Sequence, residues 1–402
     1  HEIPVDLVKK DPSVLHNTPY KAERRKEMLE GKRPHECEFC WAVEDLGGVS
    51  DRFNMSHAEW AQAGLSLIDK RNPAQKINPT YVEVSFSNTC NFRCSYCSAS
   101  ASSRWQQELQ QHGPYPVRGE AFKYIPSLLK EEENPWIEAW WKWFPQIYPT
   151  LRYLRITGGE PLLSENTFRL LDFISQNENT KLNFAVNSNL GTPRSVIERF
   201  VKALQPITQK IPQVTIFTSV DTWGPQAEYT RNGLQLDLFR SNIEYLLTEC
   251  PDIRISFMIT FQILSLPHFT DLMDELLRLK KKFNTANFNR IEYSIDQLIR
   301  PTHQHVLILP EQHDVRFAEI EKYMESRVTD DSYSLDPKQL SRFQVIRSWF
   351  QKNLEYSGIE QDRADFFRFF SHHDRLRKTS FLSTFPEYSE FWDQCADAAA
   401  KI

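Results

Sequence analysis

Tyr81-Val82-Glu83-Val84-Ser85-Phe86-Ser87-Asn88-Thr89-Cys90-Asn91-Phe92-Arg93-Cys94-Ser95-Tyr96-Cys97 runs from a strand-like alternation straight into three cysteines at C-x3-C-x2-C spacing. Thiolates are the usual ligands of iron–sulfur clusters, and a four-iron cluster has four corners to fill. Three local ligands leave one iron without a nearby protein ligand. An open coordination site is where a metal centre does chemistry rather than hold a fold. Two other readings compete on spacing alone. Positions 90, 94 and 97 also mark the stripe of a buried helix face, and zinc takes cysteines too, though usually four protein ligands in paired groups. The alternation before Cys90 and the turn-forming Asn88-Thr89 favour a strand feeding a loop over a helix interior.

The 402 residues suggest two or three domains at roughly 150 residues each. A chain that is 40% hydrophobic and 25% charged has an ordinary soluble, globular composition. A net charge of −5 gives no global pull toward nucleic acid or an anionic membrane, so neither is expected as a partner. No apolar run approaches the roughly 18 residues of a membrane span, and no secretory leader is visible. Seven cysteines, most of them in C-x2-C or C-x3-C-x2-C groups, argue for metal ligation in a reducing cytoplasm rather than a disulfide framework.

No internal repeat or low-complexity stretch interrupts the chain. Residues 1–79 are polar and irregular, with a helix expected near Tyr20–Glu30 ended by Gly31, then the pair Cys37 and Cys40 and the Gly47-Gly48 step. From Tyr81, β-rich runs at 81–86, 152–157, 181–187, 214–220, 253–260 and 289–294 alternate with helical patterns at 98–110, 164–176, 193–208, 235–249 and 268–282. Strands separated by helices of this length predict βαβ units and a parallel sheet, an α/β fold. Six units make an open or partial (β/α)6 barrel. After about residue 300 the pattern is mostly helical, at 311–327, 337–352, 361–377 and 386–400. The expected organisation is therefore an N-terminal segment (1–79), a partial barrel (80–300) and a helical C-terminal region (301–402). In such folds active sites gather at the carboxyl ends of the strands, where Cys90, Gly158, Asn187 and Ser219 fall.

C-x3-C-x2-C after a first strand, with Tyr96 just before the third cysteine, resembles the signature of radical S-adenosylmethionine (radical SAM) enzymes. Leu154-Arg155-Ile156-Thr157-Gly158-Gly159-Glu160-Pro161-Leu162-Leu163 resembles that family's second motif. Asp374-Arg375-Leu376-Arg377, Thr379-Ser380-Phe381-Leu382 and Phe385-Pro386-Glu387 are similar, more loosely, to the tail of a phage and environmental branch whose members carry a twitch domain. The resemblance implies a partial barrel. It implies a [4Fe-4S] cluster on Cys90, Cys94 and Cys97, with S-adenosylmethionine chelating the open iron. Reductive cleavage of that ligand then yields a 5′-deoxyadenosyl radical that takes hydrogen from an organic substrate. It further implies that Gly158-Gly159-Glu160-Pro161 meets the methionine amino group, glycines letting backbone approach a ligand closely. Asn187-Ser188-Asn189 stands where the family places ribose or carboxylate contacts, Ser219-Val220-Asp221 resembles its S-x-D segment, and Arg231 is the candidate partner of the cofactor carboxylate. Gln262, at the end of the fifth strand, is placed toward the adenosine. Turn chemistry is the competing reading for Asn187, Ser219 and Asp221, and a surface salt bridge for Arg231.

Cys37-Glu38-Phe39-Cys40 is half a metal site and needs further ligands. The run from Cys37 to Arg52 resembles an N-terminal segment of the same branch, which implies part of an auxiliary iron–sulfur cluster; zinc and no metal remain alternatives. The chain begins with His1, and no cysteine precedes Cys37 where that branch often carries more, so either an upstream segment is missing or the second site is incomplete. Cys250 and Cys395 read as buried small hydrophobes. His303 and His305 read as structural residues on one strand face, and Trp136, Trp140, Trp141, Trp143 and Phe144 as a packed helix face. The expected partners are an organic or peptide substrate and a low-potential donor of flavodoxin or ferredoxin type. A peptide or protein side chain is favoured over small-molecule dehydrogenation or rearrangement, and a non-catalytic metal-stabilised binding module is the rival from another class.

Overall fold

Eight strands form among the described residues: β1 (Tyr81–Ser85), β2 (Arg93–Cys94), β3 (Tyr153–Thr157), β4 (Asn183–Asn187), β5 (Gln213–Ser219), β6 (Arg231–Asn232), β7 (Ile253–Phe261) and β8 (Ile291–Gln297). The computed structural model describes residues 3–45, 49–68, 72, 75–126, 130–354 and 356–402. Gly47-Gly48 lies outside them. Six strands form one sheet in the order β1-β3-β4-β5-β7-β8, and β2 pairs with β6 in a separate two-stranded ribbon. The sheet order never reverses, so the winding is that of a βα barrel rather than of a doubly wound sheet. β5 and β7 run parallel, with Thr218 opposite Phe257, and β7 and β8 run parallel, with Phe257 opposite Tyr293. Parallel neighbours need long crossovers. Helices Glu165–Gln176, Arg194–Thr208, Leu236–Glu249 and Phe269–Phe283 supply them.

The chain divides into two compact units, residues 1–84 with 129–155 and 179–184, and residues 85–128 with 156–178 and 185–402. The first holds helices Val5–Lys10, Pro19–Leu29, Glu38–Asp45, Asp51–His57, Glu59–Ile68 and Pro135–Ile147. In it Tyr81 stacks between Trp60 and Tyr153, with ring centroids 5.4 and 5.3 Å away. Trp140, Trp143 and Phe144 are buried on one face of Pro135–Ile147, as their helical spacing predicts, whereas Trp136, expected on the same packed face, is exposed and Trp141 is half-buried. The second unit holds the carboxyl ends of β3 and β4, the whole of β5, β7 and β8, and the C-terminal helices Asp314–Glu325, Pro337–Lys352, Ile359–Arg377 and Ser389–Lys401. Ile253, Ile255, Phe257, Ile259 and Phe261 of β7 are all buried and, at alternate positions, share one face of the strand. No helix among the described residues is long and apolar enough to cross a membrane.

Several elements depart from the sequence pattern. The helix expected from residue 98 begins at Ser103, because Ser102 Oγ accepts the Trp105 N–H and caps it there. Pro386–Tyr388 forms a 3-10 turn, and the helix proper starts at Ser389. His303 and His305 lie on and beside short 3-10 turns rather than on a strand. Both are buried, His303 against Phe122 and Phe369 and His305 against Trp349.

Candidate metal centre

All of the site's geometry belongs to the second unit. Cys90 follows β1 in a loop whose backbone is tied down at once: its N–H donates to Ser103 Oγ at 3.1 Å, and the Phe92 N–H points at its Sγ at 3.4 Å. Phe92 is buried and fills the space beside two glycines. A Cβ at Gly191 would collide with the Phe92 ring, and one at Gly233, where φ is +109°, would come within 2.7 Å of the Asn91 carbonyl oxygen. Cys94 sits in β2, opposite Arg231 of β6, and the Ser95 N–H donates to the Thr230 carbonyl at 2.8 Å. That ribbon joins residues 137 apart in sequence and brings the Arg231 guanidinium to the cysteine loop, its Nη1 3.6 Å from Cys94 Sγ.

The glycine turn after β3 locks onto the same loop. The Gly159 N–H donates to the Ser87 carbonyl at 3.1 Å and the Glu160 N–H to the Thr89 carbonyl at 2.7 Å. Side chains do not fit between them: a Cβ at Gly158, where φ is +135°, would lie 2.7 Å from Ser87 O, and one at Gly159 2.5 Å from Asn88 O. Glu160 is buried, and its carboxylate accepts from the Leu162 N–H (3.0 Å), Ser188 Oγ (2.8 Å) and the Asn189 N–H (2.6 Å). Burial pushes its pKa up to about 7 against the pull of those donors. Glu160 thus fastens the end of β4 to the glycine turn. Pro161 opens the 3-10 turn that follows.

Cys90, Cys94, Cys97, Tyr96, Gly158, Gly159, Asn187, Ser219 and Arg231 line one cavity, together with Phe92, Thr157, Ser188, Asn189, Phe217 and Met258. Glu160, Pro161 and Asp221 are buried and are not among its lining residues. Asp221 accepts from Tyr96 Oη at 2.7 Å, Arg231 Nε at 3.0 Å and the Thr260 N–H at 2.9 Å. Arg231 also donates to Tyr96 Oη. Burial alone would lower the Arg231 pKa, yet Asp221 and the neighbouring acidic groups raise it well above the usual value, so the guanidinium is a fixed positive charge. Its fork serves Asp221, Tyr96 and the Cys94 sulfur. Gln262 is buried at the head of the turn Ile263–His268, where its N–H donates to Ser265 Oγ at 3.2 Å, and it is not on the cavity wall. Cys37 and Cys40 belong to the first unit, both half-buried on neighbouring turns, with the Cys37 thiol pushed up by burial and by Cys40. Cys250 and Cys395 are buried.

Among the described residues no three His, Cys, Asp or Glu side chains gather on a single-ion site. The three thiols line one cavity, and thiolates are the usual ligands of iron–sulfur clusters. Burial pushes the Cys90 and Cys97 thiols up to about 12, so metal must displace their protons, which is the ordinary linkage of thiolate sites. Donors face the sulfurs, Arg231 at Cys94 and Asn189 Nδ2 at 4.0 Å from Cys90, as the surroundings of a cluster require. The donor set fits an iron–sulfur cluster with a polar ligand beside it. Asn189 belongs to the Asn187-Ser188-Asn189 run read from sequence, whereas Phe217 and Met258, inside β5 and β7, were not singled out; their places on the strands that carry the site are the signal that marks them.

Residues 84–279 match the model of the radical SAM superfamily. A GTP 3',8-cyclase of Staphylococcus haemolyticus (strain JCSC1435) is 31% identical over 99 residues, covering 24% of this chain and 23% of the relative. One of Staphylococcus epidermidis (strain ATCC 35984) is 32% identical over 95 residues, covering 23% and 22%. The chain therefore spans less than a quarter of the length of these curated relatives. Among solved structures, Streptococcus suis SuiB is 14% identical with a TM-score of 0.37, covering 67% of this chain and 52% of that one. SuiB bound to S-adenosylmethionine is 14% identical with a TM-score of 0.36, covering 75% and 58%. The superfamily match lies over the very strands that carry the thiols and the glycine turn, so residues 84–279 are a radical SAM domain.

Proposed function

We propose that this chain is a radical SAM enzyme in which Cys90, Cys94 and Cys97 hold a [4Fe-4S] cluster and the cavity beside them takes S-adenosylmethionine on the open iron. The observation that carries the reading is the backbone-to-backbone lock between the cysteine loop and Gly158-Gly159, which sets three thiols and a polar strand edge around one cavity. When bound, the cluster and its ligand supply reductive cleavage to a 5′-deoxyadenosyl radical that abstracts hydrogen from an organic substrate. The protein's part is orientation. The Gly158-Gly159 backbone offers close approach to a polar ligand. Asn187 and Ser219 present side chains at the cavity wall, and Asp221 with Tyr96 holds Arg231 as a fixed charge beside Cys94.

Within the superfamily we place the chain with the twitch-containing branch, on the C-terminal Asp374–Arg377 and Phe385–Glu387 segments, and take a peptide or protein side chain as substrate by analogy with that branch. A small-molecule radical dehydrogenase or rearrangement enzyme is the catalytic alternative. The electron donor is of flavodoxin or ferredoxin type. Cys37 and Cys40 would supply two ligands of an auxiliary cluster; its signature is about eight irons per chain, falling to about four in Cys37→Ala. The test of the main reading is anaerobic reconstitution with iron and sulfide, followed by reduction with S-adenosylmethionine present. 5′-Deoxyadenosine is expected from wild type and not from Cys94→Ala. Its absence from wild type at normal iron loading overturns the enzyme reading in favour of a non-catalytic module.

A further inference from the structure

Three consecutive carbonyl oxygens of the cysteine loop are each taken by a side chain from a different part of the second unit. Arg377 Nη1 donates to Arg93 O at 3.3 Å, Trp105 Nε1 to Cys94 O at 2.9 Å, and Gln304 Nε2 to Ser95 O at 2.8 Å. Ser95 returns the contact, its Oγ donating to Gln304 Oε1 at 2.8 Å. Trp105, Ser95 and Gln304 are fully buried. Arg377 is held in turn: its Nη2 reaches Glu108 Oε1 at 2.9 Å, and its guanidinium lies 4.9 Å from the Trp105 ring centroid. Glu108 also accepts from Arg93 Nη1 at 2.6 Å and Tyr115 Oη at 2.6 Å. Burial would raise the Glu108 pKa, but Arg377, Tyr115 and Arg93 hold it low, so the pair stays ionised.

A peptide unit is planar, so fixing a carbonyl fixes the plane and the N–H that follows it. The three donors therefore fix the peptide planes on both sides of Cys94. Neither Gln304 nor Arg377 lines the cavity, and both come from beyond β8.

We propose that Gln304 and Arg377, with Trp105, are positioning residues that clamp the Cys94 backbone, so that the helical C-terminal region sets how firmly the cysteine loop holds its cluster. This rests on the cluster assignment proposed above. Partners that orient metal ligands typically change metal retention by about 10–100-fold when removed. The lower end of that range is expected, because Cys94 O also accepts the Cys97 N–H at 3.0 Å and Arg93 O lies in the β2–β6 ribbon, whereas Ser95 O would seek another partner by turning its peptide plane once Gln304 is lost.

The test uses Gln304→Met, which keeps the length and burial of the side chain but removes both its donor and its acceptor. In the reconstituted full chain, without S-adenosylmethionine or substrate, iron loss to a chelator is expected about tenfold faster than in wild type. In the iron-free protein, alkylation of Cys94 by iodoacetamide is expected to speed up by a similar factor, about tenfold. Arg377→Lys is the second variant: it keeps the charge but loses the fork that serves Arg93 O and Glu108 together, and it is expected to lie between wild type and Gln304→Met. Rates equal to wild type in both assays overturn the clamp. A wild type that takes up no iron overturns the cluster assignment instead, and the alkylation rates still judge the clamp. If Gln304→Met does not fold, Arg377→Lys alone decides by the same two rates.

Discussion

Replacing Gly159 by alanine sets a methyl carbon where backbone already lies. The new Cβ would stand 2.5 Å from Asn88 O and 2.6 Å from the Asn88 carbonyl carbon, and it would also overlap Thr89 O. Carbon–oxygen contacts settle near about 3.3 Å, so the gap is short by about 0.8 Å. A side chain could swing away; a peptide backbone cannot. Relief must move the 88–89 loop or the glycine turn, and those segments share the hydrogen bonds from Gly159 N–H to Ser87 O and from Glu160 N–H to Thr89 O. Overpacking costs about 1–3 kcal/mol, and a lost hydrogen bond about 1 kcal/mol more. The expected destabilisation is therefore about 2–4 kcal/mol, read from urea denaturation of iron-free protein. Because Cys90 follows directly on Thr89, iron uptake falls with it. Gly119→Ala is the control: a Cβ there meets nothing within 4 Å, and the change should stay within about 0.5 kcal/mol. If Gly159→Ala matches that control in stability and in iron uptake, the lock between the two motifs is not what holds the site.

Asp221→Ala leaves the buried Arg231 guanidinium without its carboxylate, and denaturation should register a loss of about 3–5 kcal/mol; a loss under about 1 kcal/mol would contradict the ion pair. Phe92→Ala empties the space beside Gly191 and Gly233 and should cost about 3–5 kcal/mol by the same assay. Burial, with Arg118 nearby, lowers the His303 pKa from 6.5 to about 3. The unfolded chain then binds more protons across that window, so this histidine's contribution is present above pH 6.5 and is lost as pH falls. His303→Phe should flatten the stability profile by on the order of 2 kcal/mol between pH 6.5 and 5, and parallel profiles for variant and wild type would refute the assignment.

Much of this arrangement was legible because its signals are local. The β-rich runs at 214–220 and 253–260 became β5 and β7 nearly residue for residue, and the helix read at 337–352 spans Pro337–Lys352, opened by its proline. The cysteine triplet and the glycine turn were visible for the same reason: each is a short spacing with its own chemistry. Most of the missing parts depend on partners far apart in sequence. Arg231 was read as the candidate partner of a cofactor carboxylate, with a surface salt bridge as the competing reading; its ion pair with Asp221 is buried instead, and its place beside Tyr96 and the Cys94 sulfur comes from the β2–β6 ribbon. Nothing near Glu160 in sequence announces Ser188 and Asn189 as its partners. His303 and His305 were read correctly as structural but on the wrong element, because an H-x-H spacing fits a strand face and consecutive 3-10 turns alike.

The central claim is that three thiolates hold a cluster whose remaining iron is open to a small chelating ligand. The most direct measurement is electron paramagnetic resonance of the reconstituted, anaerobically reduced protein, recorded with and without S-adenosylmethionine. The reduced protein should give a four-iron signal whose g-values change when the ligand is added, and Cys94→Ala should lose that signal. A four-iron signal that S-adenosylmethionine leaves unchanged, or a protein that binds zinc in place of iron, would contradict that claim.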